Sequence, residues 1–262
     1  MDWLEHAGAA ADQPPLLPRV PLLAAGVVFG SAVPAMIEEI ASQSPSEGHG
    51  LLQKQEHGWA VTGELTHSLA QLAQLMRRLG LSGPWRNELL AVTDEQGRVL
   101  GGVERALVRP LGITTRAVHL VGRSPDGRHW VQQRAFDKAN DPGLWDTLVG
   151  GMIGAGETVE SALEREAWEE AGLRLPALGP LQHGARVSLR RPSNEVAPGL
   201  GYLVEHIDWH GATLPAGLAP SNQDGEVAQF ALLTRDALLE RLARGEFTLE
   251  AELILAGALG LA

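Results

Sequence analysis

The chain has 262 residues, a formal net charge of −11, 44% apolar residues and no cysteine. That length fits one large domain or two small ones, and the apolar share is enough for a buried core. The acidic balance argues against broad binding to nucleic-acid backbones, and the absence of cysteine removes disulfides, thiolate metal sites and a cysteine nucleophile.

In chain order, residues 1–16 are Ala-rich and carry Pro14-Pro15, which predicts a poorly ordered lead-in or a short helix. Residues 17–33 are apolar with Gly26 and Gly30 as breakers, predicting two short strands around a turn. Residues 20–33 are also the only stretch resembling a signal core. They are broken by Pro21 and Gly26 and follow Asp2, Glu5 and Asp12, the wrong flank for secretion. No run reaches the ~20 apolar residues that span a bilayer, so a soluble, cytoplasmic protein without membrane contact is expected. Pro34 opens a helix through Met36, Ile37 and Ile40. Residues 42–50, rich in Ser, Pro and Gly, read as a loop, and 51–61 as a strand pair. Residues 65–79 have helical spacing, stopped by Gly80. Strands at 89–92 and 99–103 flank the Asp94-Glu95-Gln96-Gly97 turn, and Pro110-Leu111-Gly112 marks a boundary.

A second unit starts with a strand at 115–121, turns at Asp126-Gly127 and returns at 130–134. A polar loop covers 135–143 and a strand at 144–149 leads to a Gly150-Gly151 turn. Further strands are predicted at 181–189, 199–207 and 227–233, then helices at 234–244 and 249–261. Strands that feed a helix and return as strands argue for an α/β fold with a mixed sheet between helices. The expected division is 1–112, a small α+β N-terminal extension, and 113–262, the second domain.

The most informative stretch is GMIGAGETVESALEREAWEEAGL, residues 151–173. Thr158 suits an N-cap and Gly172 the left-handed position after the helix. Val159, Leu163, Ala167 and Ala171 form an apolar stripe, and Glu166, Glu169 and Glu170 fall together on the neighbouring face. Three carboxylates so close repel one another and need counter-charge. Arg165, four residues before Glu169, supplies part of it, and the rest suits a hard divalent cation such as Mg²⁺ or Mn²⁺. The competing reading is a solvated acidic helix face.

This stretch resembles a Nudix box, G-x5-E-x7-R-E-U-x-E-E-x-G-U, through Gly151, Glu157, Arg165, Glu166, Glu169, Glu170 and Gly172. Ala167 and Leu173 hold the apolar positions, Ala167 being small for its place. The resemblance implies a Nudix-type α/β/α sandwich and a metal-dependent hydrolase that directs water at a phosphorus of a small-molecule diphosphate. By position it implies Glu166, Glu169 and Glu170 as metal ligands with the Gly151 carbonyl as a fourth, and Glu166 or a carboxylate outside the box as the base. It implies Arg165 as the group orienting Glu169, and Glu157 as a loop-holding acid. Isopentenyl-diphosphate isomerase shares the fold but relies on a cysteine that this chain lacks.

Outside the box, Glu226 follows a Gly turn to the start of a strand, where it faces either the metals or solvent, and Glu195 is a weaker candidate. Arg134 and Lys138, on the strand end and loop before the box, are candidates to grip phosphate oxygens, with surface solvation the competing reading for Lys138. His119, in an apolar strand, reads as a core histidine. Trp145 and Trp168 read as core packing, with Trp145 near enough to the box to line a pocket. A softer resemblance covers residues 86–89, 102–106, 112–120, Lys138, 142–146, 150–153 and 224–227. It is to a Nudix group with an N-terminal extension, fungal and plant proteins related by name to thiamine pyrophosphokinase, and implies thiamine diphosphate or its oxidised forms as substrate. Such a cationic ligand needs aromatic or acidic walls, for which Trp59, Trp85 and Trp130 are available. The alternatives are a Nudix hydrolase of dinucleotides or nucleotide sugars, and a non-catalytic Nudix ligand-binding module. The N-terminal unit is expected to form either one wall of the pocket or an oligomer contact, the latter in a homodimer.

Overall fold

The computed structural model describes residues 2–43 and 50–261, so most of the loop expected at 42–50 lies outside the described residues. The chain runs α1 (Asp2–Ala11), β1 (Val20–Ala24), β2 (Val27–Ala32), α2 (Pro34–Ser42), β3 (Leu52–Gln55), β4 (Gly58–Val61), α3 (Leu65–Leu79), β5 (Leu89–Thr93) and β6 (Val99–Glu104). It continues with β7 (Thr114–Arg123), β8 (His129–Arg134), β9 (Trp145–Asp146), β10 (Val149–Met152), α4 (Val159–Ala171), β11 (Gln182–Ser193), β12 (Gly201–Thr213), β13 (Val227–Leu233), α5 (Arg235–Ala243) and α6 (Leu249–Ala258).

The first part of the chain builds a four-stranded sheet, ordered β2-β1-β4-β3, and a separate β5-β6 hairpin. Leu69, Leu72 and Met76 recur at helical spacing on α3, and they bury against Ile37, Ile40, Leu90, Val103 and Leu107 in one core. The main sheet is mixed, ordered β11-β12-β7-β8-β13, with β12 and β7 parallel. The β7–β8 hairpin pairs only near its turn, through Gly122 with Trp130 and Arg123 with His129. Past that point β7 pairs instead with β10, Val149–Met152 against Ala117–Leu120.

Helix α4 covers one face of this sheet through Leu163, Ala167 and Ala171, against Val118, Leu120 and Val149. The other face is covered by α5 and α6, whose Leu238, Ile254 and Leu255 pack on Ala117, Val121, Leu189 and Ile207. The result is the expected α/β/α sandwich beside a small α+β unit. Of residues 1–16, Asp2–Ala11 form a short helix, and Ala11 enters the core beneath α6.

Two details differ from the sequence reading. Gly150 and Gly151 belong to strand β10 rather than to a turn, because the edge of β7 left open by β8 takes them as partners. The last helix stops at Ala258, short of residue 261.

Candidate active site

Helix α4 starts where the sequence demands. The Thr158 hydroxyl accepts from the Ser161 amide at 3.1 Å, and the Ser161 hydroxyl accepts from the Thr158 amide at 2.9 Å, a reciprocal cap. It ends at Gly172, with φ 63°, a left-handed position that glycine adopts without steric cost.

Between these ends the helix presents its carboxylates in three different settings. Glu170 lies seven residues after Leu163 and so on the apolar stripe itself, which buries it. Its Oε2 accepts from the Gly150 amide and from Gln132 Nε2, both at 2.9 Å. Burial, then repulsion from Glu166, pushes its carboxyl up to about 8. The Glu166 side chain is 13% exposed, and burial raises it to about 7 against the pull of Arg165, with Glu169 and Glu226 adding to the rise. Glu169 is 45% exposed at the rim.

Arg165 ties the group together. Its guanidinium donates to both oxygens of Glu157 at 2.7 and 2.9 Å, to Glu166 at 2.7 Å, to Glu169 at 3.1 Å and to the Met152 carbonyl at 3.0 Å. Its partner Glu157 also accepts from the Gly154 amide at 2.7 Å, and the bonds from Arg165 hold the Glu157 carboxyl below its usual range. Glu157 thus clamps the loop before the helix. Arg165 holds three acids, not Glu169 alone.

The glycines have a spatial reason. A Cβ at Gly151 would fall on the Glu166 carboxyl, and one at Gly150 on the His119 ring. Among the described residues no three acidic or imidazole side chains already enclose a cation-sized point. Arg165 draws Glu166 and Glu169 toward itself, while Glu170 turns to Gly150 and Gln132.

These groups face a cavity of about 1000 Å³. Lys138 and Glu226 form an ion pair at its mouth, with Lys138 4.0 Å from Glu170. Burial alone would raise Glu226, but Lys138, Arg134 and Arg105 more than offset it and its carboxyl is lowered. Glu226 is therefore neither free in solvent nor buried against the helix. Arg134 lies 3.6 Å from Asp146 and donates to the Asn140 carbonyl at 3.0 Å. His119 is buried on the floor of the cavity with Nδ1 2.8 Å from the Thr147 hydroxyl, and burial lowers its pKa.

Trp145 packs in a core as expected, whereas Trp168 does not. Trp145 does not line the cavity; its ring is in the α5–α6 core with the Arg241 guanidinium 4.6 Å from it. Trp168 is 41% exposed and stacks on Arg174 instead of entering the core. Trp59 and Trp85 pack in the N-terminal core and Trp130 under α4, so none reaches the cavity.

Of the far side, sequence reasoning named Glu195 but neither Arg109 nor Glu205. There Arg109, 5% exposed, donates to Glu205 at 3.1 Å, to Glu195 at 3.2 Å and to Thr115 at 3.1 Å. Glu250, at the start of α6, joins this side, and burial with the nearby Glu205 raises it to about 7. The N-terminal part of the chain contributes Arg86, Glu88 and Arg105 to the same cavity, which makes it a wall of the site. Nothing local marks Arg109 or Glu205, which meet across 96 positions.

Comparison with known proteins gives consistent results. Residues 113–253 match the NUDIX domain family. The chain is similar to an uncharacterized Nudix hydrolase of Pseudomonas aeruginosa, 38% identical over 109 residues that cover 42% of this chain and 63% of that protein. It is also similar to Nudix hydrolase 24, chloroplastic, of Arabidopsis thaliana, 28% identical over 180 residues covering 65% of this chain and 46% of that protein. Both matches therefore span less than two thirds of the relatives' own length. Among solved structures, a Deinococcus radiodurans protein superposes with a TM-score of 0.51 at 26% identity, covering 65% of this chain and 99% of that one.

Proposed function

Because the chain belongs to the Nudix family, by a match over more than half of its length, we propose that it is a divalent-cation-dependent hydrolase of a small-molecule diphosphate. The observation that carries this reading is the carboxylate pair of buried Glu170 and partly buried Glu166, packed against a strand that has no Cβ at Gly151.

The residues suit a hard cation. Glu166, Glu169 and Glu170 offer charged oxygens, and the Gly151 carbonyl lies on the strand they pack against. A bound Mg²⁺ or Mn²⁺ would screen the diphosphate charge and acidify water. The chain's own groups do the rest. Arg165 holds Glu166 and Glu169 in place as their neighbour charges shift. Lys138 and Arg134 sit where phosphate oxygens enter, and Lys138 exchanges Glu226 for phosphate when substrate arrives. That exchange leaves Glu226 free to take a proton from the attacking water. Glu166 is the other carboxylate placed to do so. Glu226→Gln and Glu166→Gln tell the two apart: the variant of the true base loses the acidic limb of the kcat profile.

A thiamine-type diphosphate is the substrate class we favour. The motifs shared with the extended Nudix group support it, as does an Arabidopsis alignment longer than the matched domain. Among the described residues no tryptophan lines the cavity; of the aromatic or acidic walls such a ligand needs, Glu205, Glu250 and Asp146 offer the acidic kind. The test is phosphate release from a panel of diphosphates with Mg²⁺ or Mn²⁺, including thiamine diphosphate, its oxidised forms, dinucleotides and nucleotide sugars. Cation-dependent turnover of thiamine forms at the highest kcat/KM supports the full reading. Preference for a nucleotide keeps the hydrolase and replaces the substrate, and no turnover of any member sinks both.

A further inference from the structure

We propose that Arg86 and Arg191 form an anion clamp on the cavity, so that the N-terminal part of the chain binds the phosphates of the substrate directly. The inference rests on the diphosphate reading for the identity of the anion.

It starts from an inventory of charge. The cavity is lined by several cations, and nearly all are already engaged: Arg165 with the box acids, Lys138 with Glu226, Arg105 with Glu88 at 2.7 Å. Only Arg86 and Arg191, among the described residues that line the cavity, have a guanidinium with no carboxylate, carbonyl or ring partner. An arginine offers five donors in a fixed fork that matches phosphate oxygens. Two such forks, uncommitted and lining one cavity with a carboxylate cluster, suit the oxygens of a diphosphate.

Arg86 is not on a loose loop. The preceding Trp85 indole donates to Asn87 at 2.8 Å and carries the Arg77 guanidinium 4.7 Å from its ring. The Arg86 amide donates to Glu104 at 3.0 Å. Asn87 adopts φ 55°, a left-handed turn that Asn tolerates better than most residues. The Arg105 amide then donates to the Glu88 carbonyl at 2.9 Å, extending the β5–β6 hairpin to the residue after Asn87. The backbone on both sides of Arg86 is therefore pinned while its side chain stays free. Arg191 shows the same contrast on β11. Its neighbour Arg190 points the other way along the strand and is paired with Asp12 at 3.0 Å, whereas Arg191 faces the cavity unpaired.

The test uses inorganic pyrophosphate as probe, titrated calorimetrically into the full chain with Mg²⁺ and again in EDTA. Arg86→Gln and Arg191→Gln are each expected to weaken binding about tenfold, and the double variant about a hundredfold. Arg128→Gln, at the Asp126 turn away from the cavity, is expected to bind as wild type does. With any substrate the panel identifies, the two clamp variants raise KM and leave kcat within about twofold. Arg86→Lys restores charge but not the fork, and recovers only part of the loss. Unchanged affinity in both variants, an equal loss in Arg128→Gln, or no binding to wild type overturns the clamp. If no diphosphate is hydrolysed but pyrophosphate binding falls as stated, the clamp stands and the hydrolase reading alone is lost.

Discussion

The two walls of the cavity are built on opposite principles. The α4–β10 wall is short-range: Gly150, Gly151, Glu157, Arg165, Glu166, Glu169 and Glu170 lie within 21 consecutive residues, and acids outnumber cations four to one. The opposite wall is long-range. It joins Arg86, Arg105, Arg109 and Arg191 to Glu88, Glu195, Glu205 and Glu250, and there arginine matches glutamate in number. One wall is short of positive charge, and the other carries fixed arginine. A dianionic ligand with a bound cation would satisfy both at once, which neither wall does for the other.

The long-range wall breaks first in stability. Arg109→Met leaves Glu205 and Glu195 without their shared partner inside the core, and the cost is expected to be about 4 kcal/mol. Denaturant unfolding measures it, and a loss under about 1 kcal/mol would mean the two units are not joined through this network.

The short-range wall breaks in activity. Gly151→Ala drives a Cβ into the Glu166 carboxyl and should lower kcat about a hundredfold with the fold retained. Near-normal kcat would show that the position of Glu166 is not critical.

A smaller effect sharpens the same contrast. The Glu170 carboxyl is raised to about 8 from an ordinary 4.5, so the native state keeps a proton that the unfolded state releases between those values. Without divalent cation, stability therefore falls as pH rises through this window, by up to about 1.4 kcal/mol per pH unit for this one group. Glu170→Gln should flatten the slope in thermal melts run in EDTA from pH 5 to 8. An unchanged slope would mean the burial of Glu170 carries no electrostatic penalty.

Legibility in the sequence followed the same division. The limits of α4 could be read because the Thr158 cap, the i,i+4 stripe and Gly172 act within a turn or two. The acidic cluster was equally plain. The burial of Glu170 was readable in principle, as a glutamate on the apolar stripe, but its partner Gln132 lies 38 residues away. The strand identity of Gly150 and Gly151 depends on β8 leaving the edge of β7 early, which no local pattern encodes. Trp145 took the core position the sequence suggested, but Trp168 lies outside the core against Arg174, a contact set by tertiary packing rather than spacing.

The central claim is that the carboxylates of α4 hold a divalent cation. Mn²⁺ titration followed by electron paramagnetic resonance tests it on the intact chain. Wild type is expected to take up Mn²⁺, and Glu170→Gln, with one ligand charge removed, to bind it at least about tenfold more weakly. Equal Mn²⁺ affinity in the two proteins would contradict the account.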